Sequence, residues 1–181
     1  MLKNRVHLNL FQIPIFISNV DIDKIKIEHE GFKKNWCSET LSSFNLKNNI
    51  EKDSAVYLLK IIGNELSHII HEPFNMTIHS IWKNKYETDD YQEKHTHAGS
   101  HFSFVIYKKV EKSNTILFNP SLNLIQSYYN NMGINVFQES FTPQCRSNQM
   151  IIFPSFVEHM VTKHSNSETI AGNISIEKIR S

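Results

Sequence analysis

A change of hydrophobic period near Pro73 divides the 181-residue chain into a mixed first part and a β-like second part. Beyond Pro73 the apolar and aromatic residues fall into short runs at 76–86, 102–110, 115–119, 134–141, 149–153, 157–163 and 169–177. Polar or turn-forming stretches separate them, among them Ala98-Gly99-Ser100, Asn119-Pro120-Ser121 and Ser165-Asn166-Ser167. Roughly seven or eight short strands with no helical period between them must bury their apolar faces against one another. Two antiparallel sheets packed face to face are therefore expected, as a sandwich or jelly roll.

Before Pro73 the signals differ. Residues 7–17 alternate as an opening strand, broken by Pro14, which a sheet edge tolerates better than a sheet centre. Residues 21–31 are expected to form a short helix ended near Gly31. From Asp53 to His71 the residues Val56, Leu59, Ile62, Leu66, Ile69 and Ile70 recur at three- and four-residue steps, with Asp53 or Ser54 as N-cap candidates. That helix is expected to cover one sheet from outside. The fold class expected is mostly β with α (α+β), in one domain over 1–181. In it, 1–75 contributes an N-terminal strand and helices packed on a core of 76–181.

The chain is 40% apolar, and area scaling at this length has it bury roughly 70% of its unfolded surface, so no staple is required. Nineteen basic against eighteen acidic residues leave a formal charge of +1, with no charged tail. This disfavours a nucleic-acid partner and an anionic membrane surface. Cys37 and Cys145 are far apart and form no Cys-x-x-Cys pair, against a disulfide scaffold or a zinc ribbon. The first residues lack the apolar core of a signal peptide, and no apolar run reaches the roughly 18 residues of a membrane span. A soluble, unprocessed protein of a reducing cytoplasm is the expectation.

His95 and His97 are two apart, so on an extended strand both imidazoles leave one face, close enough to share a metal. His159 arrives 62 residues later within Met150-Ile-Ile-Phe-Pro-Ser-Phe-Val-Glu-His-Met-Val, a run that reads as buried and leaves a polar ring needing a partner. His-x-His alone is a weak signal among ten histidines, and a surface or hydrogen-bonded pair is the plain alternative. His101 and His164 are near enough in sequence to support such a site, whereas His7, His29, His68, His71 and His79 have no partner pattern. There is no base partner for either cysteine, no glycine-rich phosphate loop, no Gly-x-Ser-x-Gly and no His-Glu-x-x-His.

Two ordered blocks carry a resemblance. Ser80-Ile-Trp82-Lys-Asn84, Tyr86, Asp90-Tyr-Gln92, His95-Thr-His97-Ala-Gly99-Ser100 and Ser103 to Tyr107 form the first. Met150-Ile-Ile-Phe153-Pro154-Ser155-Phe-Val-Glu-His159 and Ile170-Ala-Gly-Asn173-Ile-Ser form the second. Together they resemble a family of 2-oxoglutarate- and Fe(II)-dependent oxygenases found in phages and bacteria. The match spans about 76–177, with a looser one near Leu10 to Ile17.

The resemblance implies a double-stranded β-helix, a jelly roll whose sheets hold one Fe(II) at an open end. It also implies a 2-oxoglutarate- and O2-using enzyme in a bacterial or phage-infected host cytoplasm, with a small-molecule co-substrate and a prime substrate it does not identify. Position by position, His95 matches the first ligand, His159 the distal ligand, and His97 stands where a carboxylate is usual, which still leaves a chemically sensible all-imidazole set. The family places an Arg eight to ten residues after the distal His to pair with the far carboxylate of 2-oxoglutarate. Here Ser167 and Thr169 stand in that region. Lys109 or Lys163, together with Thr169, is the expected replacement, and Tyr107 is a further donor. Two other classes stay open on these residues: a three-histidine metalloenzyme of cupin type that uses no keto acid, and a non-catalytic jelly roll. Substrate choice is expected to lie in loops around 120–148.

Overall fold

The computed structural model describes residues 12–35, 40–121, 138–164 and 166–179. Thirteen strands and one α-helix follow in the order β1 (Phe16–Asn19), β2 (Ile27–His29), β3 (Lys33–Asn35), β4 (Thr40–Ser42), β5 (Asn48–Ile50), α1 (Lys52–Leu66), β6 (Phe74–Tyr86), β7 (Asp90–His95), β8 (Phe102–Lys109), β9 (Thr115–Phe118), β10 (Ser140–Phe141), β11 (Gln149–Pro154), β12 (His159–His164) and β13 (Ser167–Lys178). A seven-stranded sheet runs β1-β11-β8-β13-β6-β4-β3, a four-stranded sheet runs β10-β9-β12-β7, and β2 pairs with β5 as a separate ribbon. Every described pairing is antiparallel.

The large sheet is covered on both faces, which explains why its central strands read as near-continuous apolar runs. Its outer face carries Phe104 and Ile106 of β8, Met150 and Ile152 of β11, and Ile170 and Ile174 of β13. Against these lie Leu58, Ile62 and Leu66, all fully buried, at i, i+4 and i+8 along α1. The inner face meets the small sheet: Tyr107, Ile151 and Phe153 cluster with Leu117 of β9. Gly172 of β13 lets the Phe104 ring lie flat on its neighbour strand, because a Cβ there would stand 2.7 Å from a Phe104 ring carbon and 2.8 Å from the Ser80 carbonyl oxygen.

Two irregularities set which side chains face inward. Between β6 and β13 the register slips at Asn173/Ile174, leaving one extra residue in β6 near His79. Phe74, Met76 and Ile78 therefore share the outer face with Ile81, and Trp82, Asn84 and Tyr86 face the space between the sheets. Between β7 and β12, His159 pairs with His95 and Val161 with Gln92, so three residues of β7 span what two of β12 span. Gln92 and His95 consequently turn to the same side, which strict alternation forbids.

The expected helical cover at the N-terminal side is corrected: α1 is the one α-helix among the described residues, and the segment before it holds five short strands, β1 to β5. Residues 21–31 hold a single 3-10 turn, Ile22–Lys24, capped by Asp21, whose Oδ1 accepts from the Asp23 amide at 3.2 Å. Ile25 and Ile27 are buried around exposed Lys26, a period of two, and the Lys26 amide donates to Ser54 Oγ at 2.9 Å. The α1 helix ends at Leu66 rather than His71, and its N-cap is Glu51 without a side-chain cap. Val56 and Ile69, counted in its apolar pattern, are exposed. They lie off the Leu58-Ile62-Leu66 stripe. β1 starts only after Pro14 and sits at the edge of its sheet, where a proline nearby costs no ladder bond. Of the expected strand at 134–141 residues 138–141 are described, and only Ser140–Phe141 of them form strand, β10; residues 7–11, 122–137, His7 and Cys37 lie outside the described residues. No described helix is long and apolar enough to cross a membrane.

Candidate metal centre and co-substrate cavity

The β7–β12 pairing sets His95 and His159 directly opposite each other, one at the last residue of its strand and the other at the first. His97 lies just past the end of β7, where its amide donates to the Ser155 carbonyl at 3.0 Å. The Ser155 amide in turn donates to the His101 carbonyl at 3.0 Å. The loop that carries His97 and the turn that precedes His159 are thus clipped together by main-chain bonds, so the long separation in sequence becomes a contact in space.

The three rings converge. Ring centroids are 4.2 Å apart for His95–His159, 5.0 Å for His97–His159 and 5.2 Å for His95–His97. Their ligand atoms all lie within 4.8 Å of one another, and Nε2 of His97 and Nε2 of His159 are 3.2 Å apart. Two imidazole nitrogens bound at right angles to one ion at about 2.1 Å stand about 3.0 Å apart, close to that spacing. In two of the three rings the other nitrogen is engaged. Nδ1 of His95 lies 2.6 Å from the Glu93 carbonyl oxygen, and Nδ1 of His159 lies 3.0 Å from that of Val157. A carbonyl can only accept, so each Nδ1 carries the hydrogen and each Nε2 is left bare toward the centre, the arrangement a metal-bound imidazole needs.

Burial keeps the triad neutral. Desolvation pushes His159 down to about 3 and His97 to about 4, with the neighbouring imidazoles acting in the same direction, and it lowers His95 as well, against the Glu93 carbonyl. Neutral rings at neutral pH are the form that ligates a divalent ion. The set therefore fits Fe(II), to which imidazole binds well.

Behind the triad the cavity continues between the sheets. Trp82, Asn84 and Tyr86 of β6, Ser103, Val105 and Tyr107 of β8, and Thr169 and Ala171 of β13 form one wall. Gln92 of β7, Thr115 of β9 and Val161 of β12 form the other. Buried polar chains stiffen the first wall. Ser103 Oγ shares a hydrogen with Ser155 Oγ at 2.8 Å and donates to Asn173 Oδ1 at 2.9 Å, and Asn173 Nδ2 donates to Ser80 Oγ at 3.0 Å. Ser42 Oγ donates to Asn84 Oδ1 at 2.6 Å, and Asn84 Nδ2 faces Thr169 Oγ1 at 3.4 Å.

Of the residues expected to meet a keto acid, Tyr107 and Thr169 line this cavity. Lys109 and Lys163 do not: both are exposed, and Lys109 lines a separate surface hollow with Leu41, Glu87 and Glu168. Strand geometry explains the miss for Lys109, since a register slip between β8 and β13 at Glu168/Thr169 breaks the alternation that would carry it inward from Tyr107. No lysine or arginine is among the described residues lining the cavity. His101 is exposed and accepts the Ile176 amide at its Nδ1, away from the triad; the side chain of His164 lies outside the described residues. His68, His71 and His79 are exposed, and His29 bonds Gly31. Cys145 is buried with its thiol pushed up to about 11 by desolvation, so it is no nucleophile. Gln92, Ser103, Ser155 and Asn173 were visible only as parts of motif blocks; nothing in their local pattern announced that they would meet at one site.

Residues 80–173 match a family model described as "Putative 2OG-Fe(II) oxygenase", just over half of the chain. No curated protein matches it. Among solved structures, an oxidoreductase of the 2OG-Fe(II) oxygenase family from Burkholderia pseudomallei is similar in fold, with a TM-score of 0.50, 12% identity, and coverage of 91% of this chain and 74% of that one. HygX from Streptomyces hygroscopicus, solved with nickel, 2-oxoglutarate and hygromycin B, aligns with a TM-score of 0.46 at 8% identity over 90% of this chain and 83% of that one. A viral collagen prolyl hydroxylase from Paramecium Bursaria Chlorella virus-1, in complex with 2-oxoglutarate, aligns at 0.46 and 12% identity over 78% and 80%.

Proposed function

The chain belongs to the 2OG-Fe(II) oxygenase family, and from that membership we propose that His95, His97 and His159 hold the iron through Nε2 while the cavity behind them receives the keto acid. It is an Fe(II)- and 2-oxoglutarate-dependent oxygenase. The observation that carries the assignment of ligands is the convergence of three neutral imidazoles, two of them with the tautomer set by a main-chain carbonyl. A facial set of three protein ligands leaves positions for the keto acid and O2. When bound, the iron with its keto acid and O2 supplies the oxidising power; the protein supplies position and a dry pocket.

The work of this chain's own residues follows from where they stand. The Ser155 carbonyl fixes His97, and the Glu93 and Val157 carbonyls fix the rings of His95 and His159, so the ligands are held before the ion arrives. Ala171 and Val105, side by side on the inner face, keep the wall facing the histidines apolar and water-poor. Hydroxylation of a C–H bond in a substrate outside the cavity mouth is the reaction this reading assigns. A reducing cytoplasm, bacterial or phage-infected, suits a ferrous centre.

The test is anaerobic reconstitution with Fe(II) and 2-oxoglutarate followed by exposure to air. Succinate should form in step with oxygen consumed, and His159→Ala should abolish both while leaving the fold intact by circular dichroism. Oxygen uptake without succinate would point instead to a cupin-type oxygenase that needs no keto acid, and tight zinc binding with neither would point to a non-catalytic jelly roll.

A further inference from the structure

Two buried side-chain N–H groups have no hydrogen-bond partner among the described residues, Gln92 Nε2 and Trp82 Nε1, and both residues line the cavity behind the histidines. Buried donors left unpaired are costly and rare in native proteins. Two of them on one cavity mark a place built for an acceptor. Trp82 lies at the histidine end, its ring 5.6 Å from that of His97. Gln92 lies further in.

Its position can be read from the strand register. On the small sheet His95, His159 and Leu117 form one cross-strand row, and Gln92, Val161 and Thr115 form the next. Two residues along β12 separate the rows, about 6.6 Å of strand rise. A five-carbon keto acid whose keto-acid end sits at the triad brings its far carboxylate to the second row.

That row has a further donor. The Thr115 amide donates to Ser113 Oγ at 3.2 Å, Ser113 Oγ donates to the Tyr107 hydroxyl at 2.8 Å, and Tyr107 donates to Thr115 Oγ1 at 2.9 Å. The hydroxyls are all buried and all point their hydrogens the same way around. Thr115 Oγ1 ends the series as an acceptor from Tyr107, which leaves its own hydrogen to be given onward. Aligned hydroxyls reinforce one another in a low-dielectric interior.

Building on the co-substrate reading above, we infer that this chain holds the far carboxylate of its keto acid with neutral donors, Gln92 and the Thr115 end of the Ser113–Tyr107–Thr115 relay, in place of a cation. Gln92 is the residue that selects a dicarboxylate keto acid over a monocarboxylate one. Tyr107 is a positioning residue, since it orients the Thr115 hydroxyl rather than touching the ligand. With no lysine or arginine among the described residues that line the cavity, binding lacks the long-range attraction of a fixed positive charge there and rests on short, directed bonds, so one amide carries much of the discrimination.

The experiment is calorimetric titration of the anaerobic Fe(II)-loaded chain with 2-oxoglutarate and with pyruvate, which keeps the keto-acid end and lacks the far carboxylate. The wild type should bind 2-oxoglutarate at least tenfold more tightly than pyruvate. Gln92→Leu and Gln92→Glu should each raise the 2-oxoglutarate Kd at least tenfold and leave the pyruvate Kd within twofold. A structural role for Gln92 predicts a loss of folding stability in the leucine variant; the ligand role predicts unchanged or higher stability in the metal-free protein, because an unpaired buried amide has been removed. Equal weakening of both keto acids, or a 2-oxoglutarate Kd within twofold of wild type in both variants, overturns the inference alone. A wild type that binds Fe(II) but not 2-oxoglutarate overturns the co-substrate reading together with it.

Discussion

Acidifying the metal-free protein from pH 6.5 to 5.0 is expected to destabilise it through its histidine triad. Burial holds His97 at about 4 and His159 at about 3, and lowers His95. An imidazole in the unfolded chain titrates near 6.5. Between those values the unfolded chain takes up protons that the folded site refuses, so the unfolded state binds more protons and stability must fall as pH falls. The contribution is intact above the unfolded value and is lost progressively below it, down to the folded values. A span of about 1.5 pH units at about 1.36 kcal/mol per unit removes about 2 kcal/mol for each fully refusing ring. Two such rings standing against each other give roughly 3 to 4 kcal/mol, a large share of the 5–15 kcal/mol typical of a domain. The assay is urea unfolding in chelator at pH 7.5, 6.5, 5.5 and 5.0, wild type beside a variant with His95→Gln, His97→Gln and His159→Gln. The variant should lose stability with acid less steeply, by about that amount over the same interval. Equal slopes for the two proteins would refute the claim that the triad is held neutral by its surroundings. Saturating Fe(II) under anaerobic conditions should raise wild-type stability at pH 7.5 and steepen its acid dependence, because protons then compete with the ion for the same nitrogens.

Two further outcomes follow from the packing and the cavity wall. Gly172→Ala forces a methyl against the Phe104 ring and the Ser80 carbonyl, and should cost about 1–3 kcal/mol in urea unfolding; a loss under about 0.5 kcal/mol would mean that β13 shifts freely. Lys109→Ala and Lys163→Ala remove exposed ammonium groups outside the cavity lining, so each should leave the 2-oxoglutarate Kd within twofold; a tenfold rise for either would place that lysine in the pocket and contradict the wall described above.

The period of two beyond Pro73 was enough to predict a two-sheet β core, because short alternating runs have few other ways to hide one face from water. The His95-x-His97 spacing and the distant His159 likewise named the three rings that meet. What alternation cannot express is a slip in it. The extra residue in β6 near His79 and the extra one in β7 between Gln92 and His95 each reverse the inward face of everything beyond them. Gln92 reaches the cavity through such a slip, and Lys109 is kept out of it at another, at Glu168/Thr169. The short strands β2 to β5 were equally hidden, since three-residue elements carry too little pattern to be read from sequence alone. Their identity depends on partners: β2 on β5, β4 on β6. Residue types and spacing thus determined which side chains could do the chemistry, since those are properties of the chain itself. Which of them share a face, which donors are left unpaired and which lysine stays in water were decided only by the pairing of strands far apart in sequence, where local bulges are tolerated because the packed sheets around them compensate.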